Sequence, residues 1–302
     1  MKTPIHIHLL LVLVNAIYAF NYLAVKEIVP ASIGAYGMVV CRALTGFVVF
    51  SIVHQLFVRE KVDKKDWKLI LACALFGVAI NQLMFIKGIS LTEPIKGSLI
   101  MIMVPILVML ISYFVLNEKI GWKKGLGVFI GAAGAAILIT KLQPLNFSSE
   151  SLKGDLFILI NATSFGLYLV IARKLLVKYH PLTMIRWLFT FGFFYVLPVG
   201  FREFQAFDIT SFSNIQIGAF GYVILFSTIL ASIIYALALK AVPPTIASSY
   251  IYLQPILTAV FAIGFGKDEL DQFKIIGGLC IFIGLTLVNF GGRAKVPIAK
   301  DS

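Results

Sequence analysis

Acidic side chains are scarce in this chain: 14 Asp and Glu stand among 302 residues, against 26 Lys and Arg. Every carboxylate falls in a connection or near the end of an apolar run, so the sequence offers no candidate for a proton-carrying carboxylate relay deep in the chain. Cysteine is nearly absent as well. Cys41, Cys73 and Cys280 are odd in number and sit inside apolar runs, which gives no disulfide framework and no thiolate metal site. No H-E-x-x-H, G-x-G-D or Walker A pattern occurs, and no Ser/His pair lies at mid-span. These absences set aside metalloprotease chemistry and ATP-driven transport within this chain. They imply no catalytic residue, no metal and no cofactor.

What is abundant is apolar. Hydrophobic residues make up 60% and charged residues 13% of the chain, far from the roughly 25% charged of soluble domains. The long charge-free runs show no ten-residue alternation, which favours helices over a barrel in lipid, where every backbone group must bond internally. Ten runs are long enough to span about 30 Å of hydrocarbon. They predict helices near 4 to 24, 31 to 58, 67 to 88, 94 to 116, 121 to 140, 153 to 174, 180 to 202, 214 to 239, 244 to 266 and 271 to 291. The first run, behind Lys2, has no A-x-A cleavage site and reads as a span rather than a leader. With the N-terminus in the cytoplasm, 16 Lys and Arg fall in inside segments and 8 in outside ones. Both termini are therefore expected to be cytoplasmic. The net charge of +12 is accounted for by these connections, with no need of a nucleic-acid partner.

The chain also matches itself. Shifted by 150 residues, Pro94, Ser98, Pro105-Ile106-Leu107, Gly127 and Gly134 fall on Pro244, Ser248, Pro255-Ile256-Leu257, Gly277 and Gly284. Asn15, Tyr22 and Arg42 find echoes in Asn161, Tyr168 and Arg186 at slightly shorter offsets. The expected organisation is a first five-helix repeat over 1–140, a polar connection over 141–152, a second repeat over 153–291 and a cytoplasmic tail over 292–302. Five is odd, so the second repeat must enter the membrane inverted, as in secondary transporters that rock about a central site.

This pattern resembles the drug/metabolite transporter superfamily, and its EamA-type members in particular, over roughly residues 8 to 290. The resemblance rests on a proline-bearing helix, an acidic turn and a glycine-spaced helix in each half. These read Pro105, Glu118-Lys119-Ile120 and Gly127 with Gly134, then Pro255, Asp268-Glu269-Leu270 and Gly277 with Gly284. It implies export or exchange of small metabolites, commonly amino acids, across a bacterial inner membrane, with a cavity between the repeats. The partners implied are a small-molecule substrate and the bilayer, and a monomer would suffice. An intramembrane enzyme acting on lipid or peptide is the alternative.

Candidate cavity residues follow from the cost of turning polar groups toward lipid. Asn15, Tyr18 and Tyr22 share a helical face, and Asn161 and Tyr168 repeat it with Ser164 between them. Asn81 and Gln82 add amides suited to a zwitterion, with Tyr235, Tyr250 and Gln254 in the second half; Tyr250 and Gln254 are i and i+4. Leu11, by contrast, is expected to face lipid. Arg42 and Arg186 are the strongly ionised side chains well inside predicted spans, and Arg42 is the deeper. It could hold a carboxylate bidentately, or it could bond helix carbonyls. Pro105 and Pro255 each obstruct the carbonyl four residues back, at Met101 and Ile251, and predict paired kinks or hinges. Gly127, Gly134, Gly277 and Gly284 predict close helix packing.

Overall fold

A computed structural model describes residues 5–58, 60–116, 122–140, 149–242, 247–248 and 250–290. Pro244, the first acidic turn at 118–120, most of the 141–152 connection and the 292–302 tail lie outside the described residues. Among the described residues the longer helices are α1 (Ile5–Ile28), α2 (Ala35–Phe57), α3 (Lys64–Leu91), α4 (94–116), α5 (Trp122–Thr140), α6 (Glu150–Leu176), α7 (Pro181–Gln205), α8 (Asn214–Ala241), α9 (Tyr250–Gly264) and α10 (Gln272–Phe290), with a short 3₁₀ helix at Ile209–Ser211. Among the described residues there is no strand. Seven segments are long and apolar enough to cross a membrane, and shorter apolar helices lie in α5, α9 and α10. Large apolar side chains such as Leu9, Leu56, Phe129 and Phe282 stand more than half exposed on the outside of the bundle, as lipid requires.

Local chemistry explains where the helices start. Pro94 and Pro181 occupy first-turn positions, where a missing N–H costs nothing. Ser213 and Gln216 form a capping box ahead of α8. The start of α2 is capped from a distance: one carboxylate oxygen of Glu203, on α7, accepts from the amides of Tyr36 at 2.7 Å and Gly37 at 2.8 Å. That places negative charge at the positive end of the α2 dipole.

The packing has an approximate two-fold pattern. α2 packs on α7 and α5 on α10, while α1 contacts α8 and α9 as α6 contacts α3 and α4. Exchanging the two repeats thus leaves the main contacts unchanged. Lys26 at the end of α1 and Asp155 near the start of α6 both bond Thr92, so the two repeats run in opposite senses, giving an all-α membrane fold of two inverted five-helix repeats. Small residues set the closest approaches. A Cβ on Gly134 would lie 2.8 Å from the Gly277 carbonyl oxygen and 2.7 Å from the Cys280 Cβ. A Cβ on Gly284 would lie 2.5 Å from the Gly127 carbonyl oxygen. These four glycines therefore sit in the α5–α10 seam, where backbones approach without side chains between them.

Both proline-bearing helices are irregular one turn ahead of the proline. In α4 the α-helix is interrupted at Ile102, three residues before Pro105, and α9 begins as a 3₁₀ turn at Tyr250–Tyr252 before Pro255. Each proline lacks the amide that would have bonded the preceding turn. At the end of the bundle that holds the α2–α3 and α6–α7 turns, Lys178 pairs with Asp63 and with Asp66 at 2.5 Å. These carboxylates hold its ammonium above the usual lysine range.

Candidate functional site

Polar residues from both repeats meet in a central cavity of about 140 Å³. Its shape comes from two irregular helices at corresponding positions of the repeats. α3 widens to a π-helix over Leu75–Ala79, and α8 does so over Val223–Leu230. A π turn displaces the backbone from the α ladder and frees carbonyls for other donors. Ser164 donates to the Phe76 carbonyl at 2.7 Å, and the Asn161 side-chain nitrogen to the Asn81 carbonyl at 2.8 Å. In α8, Thr228 donates to the Val223 carbonyl at 2.8 Å. The polar face of α6 is therefore turned onto α3 by the carbonyls that it satisfies.

Asn15, Tyr18, Tyr22, Arg42, Asn81, Asn161, Tyr168 and Gln254 all line the cavity. Three of them are joined across the repeats. Gln254 donates to the Asn15 side-chain oxygen at 2.7 Å, Asn15 donates to the Leu11 carbonyl at 2.7 Å, and the Tyr22 hydroxyl donates to Gln254 at 3.3 Å. This chain fixes α1 against α9. Tyr250 does not line the cavity: it bonds His8 instead. The expectation that it shares a face with Gln254 assumed an α-helix, but residues 250–252 form a 3₁₀ turn, which rotates about 120° per residue rather than 100°. Leu11, expected at the lipid face, is fully buried, because it lies one turn before Asn15 on the same inward face of α1.

Arg42 is the one basic side chain in the described lining, and that lining holds no carboxylate. The guanidinium is 6% exposed and is oriented from the α8 π segment: Nε donates to Thr228 at 2.9 Å and Nη2 to Ser227 at 3.4 Å. Among the described residues it forms no ion pair. Arg186, its counterpart in sequence, lies near the start of α7, with Nη1 2.8 Å from His54 Nδ1 and the guanidinium 4.5 Å from the Trp187 ring centre. The two arginines have different surroundings and cannot serve one role.

Around Arg42 the walls are amide and aromatic. Asn21 Oδ1, Gln82 Oε1, Asn161 Oδ1 and the Tyr235 hydroxyl are buried with no protein partner among the described residues, and all four belong to lining side chains. Tyr18, Tyr235, Phe165 and Tyr168 form a chain of rings with centroids 5.7 to 6.5 Å apart. Asn21 was not singled out in the sequence, although its spacing of three from Tyr18 sets it on the flank of the same face. The arrangement can hold an anionic group at Arg42, hydrogen-bond donors at the free amide oxygens, and a planar or cationic group against the rings.

An inverted, all-helical membrane fold around a central polar cavity defines a secondary-transporter architecture. The EamA-like transporter family matches residues 6–140 and again 152–290, and the chain belongs to that family. A transporter of Archaeoglobus fulgidus with no assigned substrate is 25% identical over 288 residues, covering 93% of this chain and 96% of that protein. The S-adenosylmethionine uptake transporter of Rickettsia prowazekii is 24% identical over 216 residues, covering 70% and 68%. A crystal structure with 16% identity superposes with a TM-score of 0.61, covering 92% of this chain and 94% of that one, and so shares the fold. The protein is a multi-pass membrane transporter.

Proposed function

We propose that this transporter moves a small carboxylate-bearing metabolite, an amino acid or related zwitterion, across the bacterial inner membrane by alternating access between the two repeats. The observation that carries the reading is Arg42: a guanidinium held by Ser227 and Thr228 in a cavity whose described lining supplies no counter-charge. A buried cation without a partner is costly, and a substrate carboxylate would relieve that cost while gaining a charge-assisted contact. The unpartnered oxygens of Asn21, Gln82 and Asn161 suit the donors of a substrate ammonium, and the ring chain suits its cationic face. The name of the Rickettsia relative is in keeping with such a zwitterion.

The remaining cavity residues, Asn15, Tyr18, Tyr22, Asn81, Tyr168 and Gln254, would shape the site, with Pro105 and Pro255 as hinges of α4 and α9. Movement would follow the substrate's own gradient or exchange, with export favoured where the metabolite accumulates inside and with both termini cytoplasmic. The described lining also offers no carboxylate, imidazole or thiol for covalent or acid–base chemistry, which supports a carrier over an intramembrane enzyme. Thermal stabilisation of the purified protein by a panel of amino acids, followed by counterflow in liposomes, tests the proposal. Stabilisation and counterflow should require a free carboxylate. Transport restricted to uncharged compounds would refute it.

A further inference from the structure

At one end of the bundle, the turn joining α3 to α4 belongs to the first repeat, and the second repeat holds it from two sides. Lys96 lies 2.5 Å from Asp155 on α6, with side chains 4% and 0% exposed. The other Asp155 oxygen accepts from the Thr92 hydroxyl at 2.5 Å. From α9 and α10, Asp268 accepts the Ile95 amide at 2.9 Å, and Lys274 bridges Asp268 at 2.7 Å and Glu93 at 2.6 Å. Two carboxylates and one ammonium of repeat two thus grip four of the five residues 92–96 of repeat one.

This grip sits directly beyond the cavity. Thr92 is seven residues past the lining residue Phe85 on α3, Lys96 is five before Met101 on α4, and Asp155 is six before Asn161 on α6. At 1.5 Å per residue these place it about 7 to 11 Å from the lining along three helices. At the opposite end the repeats are paired differently, through Lys178 with Asp63 and Asp66, and not at the turn that matches α3–α4. The corresponding residues 242–246 read Val-Pro-Pro-Thr-Ile, without charge, and the position matching Asp155 is Leu9, which faces outward at 62% exposure.

We propose that the Lys96–Asp155 pair and the Asp268–Lys274–Glu93 bridge form the gate at this end of the cavity, so that these residues take part in the transport step without touching substrate. A buried ion pair separates only when water reaches both charges, so the gate opens by hydrating and closes by drying. Its behaviour on mutation follows in order. Leaving one charge unpaired drives the gate toward water and opens it. Replacing both charges by apolar groups of similar size favours the dry, closed form. Exchanging the two charges keeps the pair and leaves the gate near its native balance.

The test uses the full-length protein in liposomes, with the three native cysteines replaced and Gln82→Cys as a reporter in the cavity. A membrane-impermeant maleimide is applied from the side carrying the α3–α4 turn. The inference rests on the transporter reading for its meaning, yet labelling needs no substrate, so its failure and that of the substrate proposal are separable. Relative to the parent, Asp155→Asn should label at least about five-fold faster, the Lys96→Met/Asp155→Leu pair at least about five-fold slower, and the Lys96→Asp/Asp155→Lys exchange within about two-fold. Asp268→Asn, which removes the buried carboxylate charge paired with Lys274, should also accelerate labelling and serves if Asp155→Asn does not fold. Equal rates in folded variants would overturn the gate, as would faster labelling of the apolar pair.

Discussion

Replacing Arg42 by lysine keeps the charge and removes the fork, and its effect can be worked from the bonds present. A guanidinium carries five N–H donors. Nε is committed to Thr228 and one donor of Nη2 to Ser227, which leaves three, enough for a bidentate carboxylate. A lysine ammonium has three donors on a single atom; one bond to Thr228 or Ser227 leaves it a single-point contact with substrate. The loss amounts to one charge-assisted hydrogen bond, about 1.5–3 kcal/mol, or roughly a 10- to 150-fold fall in kcat/KM for carboxylate substrates. Esters and amides of the same compounds, which use no second charged contact, should lose under about ten-fold. The assay is initial-rate counterflow of acid and amide pairs in liposomes, with the melting temperature measured alongside. Equal losses for acids and amides, or unchanged transport of both, would refute the assignment of a carboxylate to Arg42.

Three further outcomes are expected. Gly284→Val forces α10 away from α5, because a Cβ meets the backbone of Gly127 and Gly131 rather than a side chain that could turn aside; it should cost about 1–3 kcal/mol and lower the melting temperature in detergent. Glu203→Ala leaves the Tyr36 and Gly37 amides without their acceptor and should destabilise by about 1–2 kcal/mol, with Glu203→Gln losing less. Reporter fusions in the α2–α3 turn should read cytoplasmic and those beside Gly266 on the opposite side; the reverse would overturn the orientation derived from Lys and Arg counts.

The helices were legible because each apolar run is a local property whose length alone meets the bilayer requirement, and the repeats because Pro105, Gly134 and their counterparts keep a constant offset. The π segments were not. Residues 75–79 are ordinary apolar sequence whose Phe76 carbonyl is met by Ser164 from another helix, and in 223–230 the Val223 carbonyl is met by Thr228 of the same segment, a bond that helical spacing does not disclose. Tyr250 was misplaced for a related reason: periodicity presumes one helix type, and a 3₁₀ turn changes the angle at which side chains leave the axis. Lys96 and Asp155 were legible only as charges near helix ends. Their pairing joins residues 59 apart in sequence, and no spacing rule within one helix could disclose it.

The departures from symmetry carry most of the chemistry. Duplication places two arginines at corresponding positions, but Arg42 finds Ser227 and Thr228 on a π-helix, whereas Arg186 finds His54 and an indole face near a helix start. Duplication also yields two helix-linking turns at the α3–α4 and α8–α9 junctions, and one reads Thr-Glu-Pro-Ile-Lys while the other reads Val-Pro-Pro-Thr-Ile. A two-fold backbone alone would make the two open states nearly equal in energy and the cavity neutral to the sign of its cargo. On the proposals made above, Arg42 breaks the second equality and the charged α3–α4 turn breaks the first. Substitutions at Arg42 should therefore change which compounds move, and substitutions at Lys96 or Asp155 should change which side of the membrane the empty carrier faces, with little exchange between the two effects.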